Sequence, residues 1–147
     1  MKFKLFIDEN SEECVTVVAN KKSRLTDEIE DIVLRYSGEN EIFVYSNEEM
    51  KILSFFDIEC VSVLDGRCEI IDRDGKHYKV KERLYEIEQR LPNYFIRINK
   101  SAIANERAID HFKTDFGGGV TVCFKSGYSD YVSRRCFAEI KRRFKQK

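Results

Sequence analysis

The stretch Phe95-Ile96-Arg97-Ile98-Asn99-Lys100-Ser101 changes character in its second half. Phe95, Ile96 and Ile98 are aromatic or β-branched, the composition of a strand in a half-buried sheet. Asn99, Lys100 and Ser101 are polar hydrogen-bonding residues, and Asn105 follows soon after. A strand that opens into a loop presents such groups rigidly at a sheet edge, as contacts to bases or phosphates require. Asn and Lys can read adenine and guanine edges, and Ser bonds to either base or phosphate. The same residues suit a capped turn in which Asn99 and Ser101 satisfy neighbouring backbone groups.

About 30 residues further on, Ser133-Arg134-Arg135 forms a second polar segment. Ser133 suits a helix N-cap, and the helix it opens has a predicted buried stripe of Phe137, Ile140 and Phe144. A helix start with two guanidiniums and exposed amides is suited to phosphate.

Between and before these segments the pattern is mostly strands. Residues 41–46 and 50–55 flank the polar turn Asn47-Glu48-Glu49. Residues 58–64 and 67–72 read as a hairpin about Asp65-Gly66, a pair that tolerates the positive φ of a tight turn. Asp74-Gly75 precedes another strand at 76–80, and Leu84, Ile87 and Leu91 mark a short helix that stops before Pro92. Residues 109–116 and 120–124 form a hairpin around Gly117-Gly118-Gly119, and 128–132 is a further strand. Near the start, residues 2–8 alternate charged and apolar, predicting a half-buried strand, and 14–18 predicts another. Leu25, Ile29, Ile32, Val33 and Tyr36 then make a helical stripe, with Thr26 as the predicted cap and Gly38-Glu39-Asn40 as the end. The expected fold is α+β, mostly antiparallel β. Residues 1–44 form an N-terminal strand–strand–helix extension with an acidic exposed side, and residues 45–147 form the main domain.

The chain has 147 residues, and its 26 Lys+Arg against 26 Asp+Glu give a formal net charge of zero. With 42% hydrophobic residues it can build a core, which argues against disorder. No apolar run approaches the ~18 residues of a membrane span, and Asp8 follows too closely on the start for a signal peptide. The charge is segregated. Residues 1–89 carry 13 basic and 21 acidic side chains, and residues 90–147 carry 13 basic and 5 acidic. Arg134, Arg135, Lys141, Arg142, Arg143, Lys145 and Lys147 stand against Glu139 alone in the closing stretch. Such asymmetry fits a polyanionic partner, and equally a solvated basic helix end.

Reactive constellations are weak. His77 and His111 sit in ordinary strand contexts, and Cys14, Cys60, Cys68, Cys123 and Cys136 lie singly among apolar residues. No two ligands lie at zinc-finger or ribbon spacing, so no metal is expected. The glycine run lacks the Gly-Lys-Ser/Thr ending of a phosphate loop and joins strands. Five cysteines without a CxxC pair fit reduced thiols in a cytoplasmic protein better than a disulfide framework.

These segments, in this order, resemble the LytTR DNA-binding domain of bacterial transcription regulators. Ile58-Glu59 corresponds to the family's first strand, and Leu84-Tyr85-Glu86-Ile87-Glu88 to its helix. Phe95 through Asn105 corresponds to its Phe-Ile-Arg-x-His/Asn-Arg/Lys-Ser phrase, with Ile109 after it, and Val132-Ser133-Arg134-Arg135 to its closing segment. The resemblance covers about residues 45–147. It implies elongated antiparallel sheets whose edge loops enter successive major grooves of double-stranded DNA. By position, Lys100 and Arg135 would contact bases, while Arg97, Asn99, Ser101 and Arg134 would contact phosphate or order the loops. A third contact loop maps to residues 64–67, where Arg67 is the candidate. The roughly 40 preceding residues leave no room for a receiver domain, so phosphorelay control is not expected. The resemblance further implies a small stand-alone regulator, a homodimer on repeated sites, possible restraint by a small membrane protein, no cofactor and no catalytic activity. The residues alone leave two alternatives open. One is a protein-binding adaptor that uses the acidic N-terminal helix. The other is a thiol-dependent enzyme or redox sensor.

Overall fold

The computed structural model describes residues 2–37 and 40–145. Helix α1 (Arg24–Ser37) precedes β1 (Glu41–Ser46), β2 (Glu49–Ser54), β3 (Ile58–Leu64), β4 (Arg67–Asp72) and β5 (His77–Lys79). Then come α2 (Leu84–Arg90), β6 (Phe95–Asn99), β7 (Ala102–Asn105), β8 (Ile109–Thr114), β9 (Val120–Phe124), β10 (Ser129–Val132) and α3 (Arg134–Lys145). Seven strands form one sheet in the order β2-β1-β5-β4-β3-β7-β6, and β10-β9-β8 form a second. Every strand pairing is antiparallel, as the α+β expectation required.

The centre of the large sheet, at β3, β4 and β7, is buried on both faces, with successive strand residues pointing to opposite sides, whereas β1, β2 and β5 each leave at least one face exposed. On β7, Ile103 packs with Ile58, Ile70 and Phe95, under Leu84 and Ile87 of α2. Its neighbours Ala102 and Ala104 face the other way, toward Val120, Val122, Phe124 and Ile140 of the second sheet and α3. Alanine at 102, 104 and 108, all fully buried, lets the second sheet approach closely. The same small residues hide β7 from sequence, since alanine is a poor strand former. The Asp65-Gly66 turn has positive φ at both residues, 52° and 76°, as a tight hairpin needs.

Glu59 binds the two sheets together. It is 1% exposed on β3, and its carboxylate accepts from the backbone N–H of Ser126 at 3.1 Å and from the Ser126 hydroxyl. Burial pushes its carboxyl above the ordinary range, and the two Ser126 donors oppose that rise.

The N-terminal expectations need correction. Residues 2–8 and 14–18 form no strand and are exposed, with Phe3 88% and Ile7 87% accessible. Alternation defines a strand only where a neighbour offers a hydrogen-bond ladder. Among the described residues these segments have none beyond the turn that Ser11 N–H closes on Asp8 O at 3.2 Å. Helix α1 forms, but its cap is Ser23 rather than Thr26. Ser23 N–H donates to Thr26 Oγ1 at 2.9 Å, and Thr26 N–H donates to Ser23 Oγ at 3.4 Å. Of the expected stripe, Leu25, Ile32 and Tyr36 stay exposed, and Ile29 and Val33 are half-buried. The helix instead docks through acids: Asp31 receives Arg107 Nη1 at 2.6 and 2.7 Å, and the Arg107 guanidinium lies 4.0 Å over the Tyr94 ring. So part of the acidic side faces inward rather than to solvent. A boundary at 44/45 would divide β1, which pairs with β2 and β5. On α3, Ile140 is buried, Phe137 is half-buried and Phe144 is exposed. Gly38 and Glu39, expected to end α1, and Lys147 of the basic cluster lie outside the described residues.

Glu59→Ala should destabilise the protein by about 1–3 kcal/mol for each Ser126 donor left buried and unpaired, measured by denaturant unfolding. Because burial raises the folded-state value, the protonated carboxyl is the favoured buried form. Its contribution is complete below the unfolded value and is lost as pH rises through the folded one. Wild type should therefore gain on Glu59→Gln as the pH falls from the raised folded value to the ordinary carboxylate value, and no further below it.

Candidate nucleic-acid interface

The segment Phe95–Ser101 builds more than it presents. Phe95, Ile96, Ile98 and Asn99 are buried, Arg97 and Ser101 are intermediate, and Lys100 is exposed. Asn99, 2% exposed, donates from Nδ2 to Tyr131 O at 2.9 Å, and its Oδ1 accepts from Ser101 N–H at 2.7 Å. Ser133 N–H donates to Ile98 O at 2.8 Å. Asn99 thus clasps the β6–β7 turn to the end of β10 and the start of α3. Of the two uses open to it in the sequence, contact or local satisfaction, the structure places its amide in the second.

Arg97 is likewise engaged inside the protein. Its Nε donates to Glu88 Oε2 at 2.5 Å, its Nη2 to Glu88 Oε1 at 3.3 Å and its Nη1 to Lys100 O at 2.8 Å. It therefore holds the backbone of the turn that carries Lys100. Ser101 orders the same turn: its carbonyl accepts from Val63 N–H at 2.8 Å.

Across the clasp, Ser133 caps α3, its Oγ accepting from Cys136 N–H at 3.2 Å. Arg134 and Arg135 are exposed on the first turn. An open groove of about 1030 Å3 between β6 and α3 is lined by Arg97, Asn99, Lys100, Ser133 and Arg135, with Tyr131 and Arg142. Among the described residues, Lys100, Arg134 and Arg135 make no ion pair within 4.0 Å. The groove thus presents cationic donors from two chain-distant loops on one rigid support. Ser101 and Arg134 do not line it.

Arg67 is exposed on the β3–β4 turn and lines a different groove. Its turn is nevertheless next to the Lys100 turn, because β3 pairs with β7 in the register Ser62↔Ala102. Two lining residues carry no role that the sequence alone suggests, Tyr131 and Arg142. Arg142 had a signal, since it stands seven residues after Arg135 and therefore two turns along the same helix face. Tyr131 had none, as exposure at a strand end leaves no periodic mark.

Two thiols are unsuited to reaction. Cys60 and Cys68 are buried, and burial raises the thiol of Cys60 strongly and that of Cys68 to about 11. Among the described residues no group of three or more His, Cys, Asp or Glu could hold a metal ion, and no helix is long and apolar enough to cross a membrane.

Residues 48–145 match the family model of the LytTr DNA-binding domain. Two Staphylococcus aureus proteins, each described as an uncharacterized HTH-type transcriptional regulator, align over 144 residues and 97% of both chains. They are 32% identical in strain bovine RF122 / ET3-1 and 31% in strain NCTC 8325 / PS 47. A solved LytTr DNA-binding domain of a methyl-accepting/DNA response regulator from Bacillus cereus superposes with a TM-score of 0.63 at 18% identity. It covers 70% of this chain and 94% of that one. The chain belongs to the LytTR DNA-binding domain family. Its three helices are each separated by strands, so the described residues contain no helix-turn-helix.

If Arg97 acts by ordering the turn, its partner matters although it is an acid. Glu88→Gln should lower affinity for a specific duplex, measured by fluorescence anisotropy, despite removing a negative charge near DNA. A rise in affinity would mean that Arg97 is restrained from phosphate rather than enlisted for Lys100. Asn99→Ala should cost about 1–3 kcal/mol of stability in denaturant unfolding, because it leaves Tyr131 O and Ser101 N–H without their buried partner.

Proposed function

We propose that this protein is a sequence-specific DNA-binding transcriptional regulator that acts in the cytoplasm without catalytic activity. Lys100 and Arg135 read bases in the major groove. Arg134 contacts phosphate, Arg67 contacts the duplex from the neighbouring turn, and Arg97, Asn99 and Ser101 fix the Lys100 turn. The observation that carries this reading is the shared groove. Two loops about 30 residues apart put Lys100 and Arg135 on one surface, locked by buried Asn99. Lysine and arginine suit the O6 and N7 acceptors of guanine, and a rigid support gives such contacts their selectivity.

The regulator works as a homodimer on repeated sites, joined through its N-terminal unit. Support for this comes from the row of exposed apolar side chains there, including Phe3, Leu5, Phe6 and Ile7, with Ile32 and Tyr36 on α1. Contiguous exposed apolar surface marks interaction sites. A small membrane protein that restrains the regulator would compete for the same surface, which pull-down of the N-terminal unit against detergent-solubilised membrane would reveal.

Lys100→Ala and Arg135→Ala should each cost on the order of 1–3 kcal/mol on the cognate duplex and relax base preference. Titrations against the region upstream of the protein's own gene, and against a scrambled duplex, measure both effects. Equal binding of wild type and variants to the two duplexes would remove these residues from the readout. The logarithm of the binding constant should also fall steeply with the logarithm of salt.

A further inference from the structure

A second cationic groove opens at the same end of the large sheet, on the far side of the β3–β4 turn from Lys100. It encloses about 580 Å3 and is lined by Arg67, Lys79, Lys81 and Arg83, with Gly66 at its rim. Arg67, Lys79, Lys81 and Arg83 are all exposed. Among the described residues none of the four makes an ion pair within 4.0 Å. One acid, Glu82, lines the groove itself, and a second, Glu69, lies close by. Glu82 is held by Arg90 at 3.3 Å, and Glu69 stands opposite Lys79 in the β4–β5 register. Lys79 is therefore the most compensated of the four, and Arg67, Lys81 and Arg83 are the open ones. The Lys81 ammonium lies 5.2 Å from the centre of the Tyr45 ring, on a side chain that is exposed.

The register places these residues. β5 runs antiparallel to β4 with Glu69 opposite Lys79, so the end of β5 and the start of β4 lie together. β4 starts where β3 ends, and β3 in turn sits beside the β6–β7 turn. Residues 80–83 thus share one sheet end with Lys100, separated by the four strand intervals of β5-β4-β3-β7-β6. At about 4.8 Å per interval that is roughly 19 Å. A major groove is about 12 Å wide. If Lys100 reaches a groove floor and this sheet end runs across the groove, a group that far away lies over a flanking sugar–phosphate ridge.

We infer that Lys81 and Arg83, with Arg67 beside them, form a second, sequence-independent site for the phosphate backbone of the bound duplex, outside the base-reading groove. This rests on the proposed mode of DNA binding and extends it. It assigns the 80–83 connection to anchoring, and it makes the contact surface wider than the loops that read bases. The chemistry suits such anchoring, because an ammonium and a guanidinium at the surface displace condensed counterions without needing a particular base.

The double variant Lys81→Gln/Arg83→Gln tests the inference with the full-length protein, folding checked by circular dichroism. Neither side chain is buried, so the fold should be retained. The probes are the duplex upstream of the protein's own gene and a scrambled duplex of the same composition. The variant should bind both more weakly by a similar factor, roughly tenfold or more at about 0.1 M salt, and lower the salt slope by about 2. Base preference should stay unchanged, and hydroxyl-radical footprinting should lose protection of backbone beyond the base-reading segment. Wild-type affinity and slope in the double variant, while Lys100→Ala still impairs binding, would overturn this site and leave the base-reading assignment standing. A wild-type protein that binds neither duplex would overturn both. A loss confined to the upstream duplex would show that these residues read sequence, contrary to the inference.

Discussion

The proposed reading surface depends on one buried amide. Two sheets that meet at the β6–β10 edge must leave their connecting turns in a fixed relation, or no pair of side chains on them could match a duplex. Asn99 meets that requirement with both ends of its side chain, Nδ2 to Tyr131 O and Oδ1 to Ser101 N–H, beneath a Ser133–Ile98 backbone bond. An asparagine suits the position because it offers a donor and an acceptor on one short planar group. Glu59 does the corresponding work in the interior, where β3 meets the turn between β9 and β10. A polar clasp is directional, and a hydrophobic contact of equal strength would leave the turns free to slide.

The net charge of zero conceals a division of labour among cations. Arg90, Arg97, Arg107 and Arg143 each sit against a carboxylate and contribute to the fold. Lys100, Arg134, Arg135, Arg67, Lys81 and Arg83 reach the surface, and all belong to turns, connections or the ends of elements. Position rather than residue type separates the groups: a guanidinium beside an acid on a neighbouring element is neutralised, and one at a turn tip is not. A sum over the chain adds the two populations together and loses the distinction.

Much of the fold was legible in sequence because its strands are short, apolar and punctuated. The 58–72 hairpin follows from Asp65-Gly66 alone, and β9 and α2 stand where pattern puts them. β7 was not legible. Ala102-Ile103-Ala104 carries little strand propensity, and its place between β3 and β6 is set by both neighbours together. The N-terminal segments fail in the opposite sense, since residues 2–8 have a strand's alternation without a strand's partner. For the candidate site, the polar segments that carry Lys100 and Arg135 were legible from residue type, while the choice of these two as base contacts came from the family resemblance. The burial of Asn99 was not legible, because a polar side chain at a turn looks the same in sequence whether it faces solvent or backbone. Lys81 and Arg83 were invisible as site members for a topological reason: only the strand order brings residues 80–83 to the end of the sheet that holds Lys100.

Helix α1 meets the sheet body through paired charges, and this has an energetic consequence. Asp31 meets Arg107, and the adjacent Glu106, 5% exposed, faces Arg143 of α3 at 3.2 Å and Lys22 at 4.0 Å. Arg143 also donates to Asn93 O at 2.7 Å, next to the strand that leads into Lys100. Removing one member of a buried pair strands the other charge, at a cost larger than the pair's net stabilisation. The positions of α1 and α3 are therefore coupled through two neighbouring residues on one short turn, while Leu25, Ile32 and Tyr36 of α1 remain exposed. A helix held by directional ion pairs keeps its orientation without burying the whole of its apolar side, so the exposure of Leu25, Ile32 and Tyr36 does not cost α1 its place against the body.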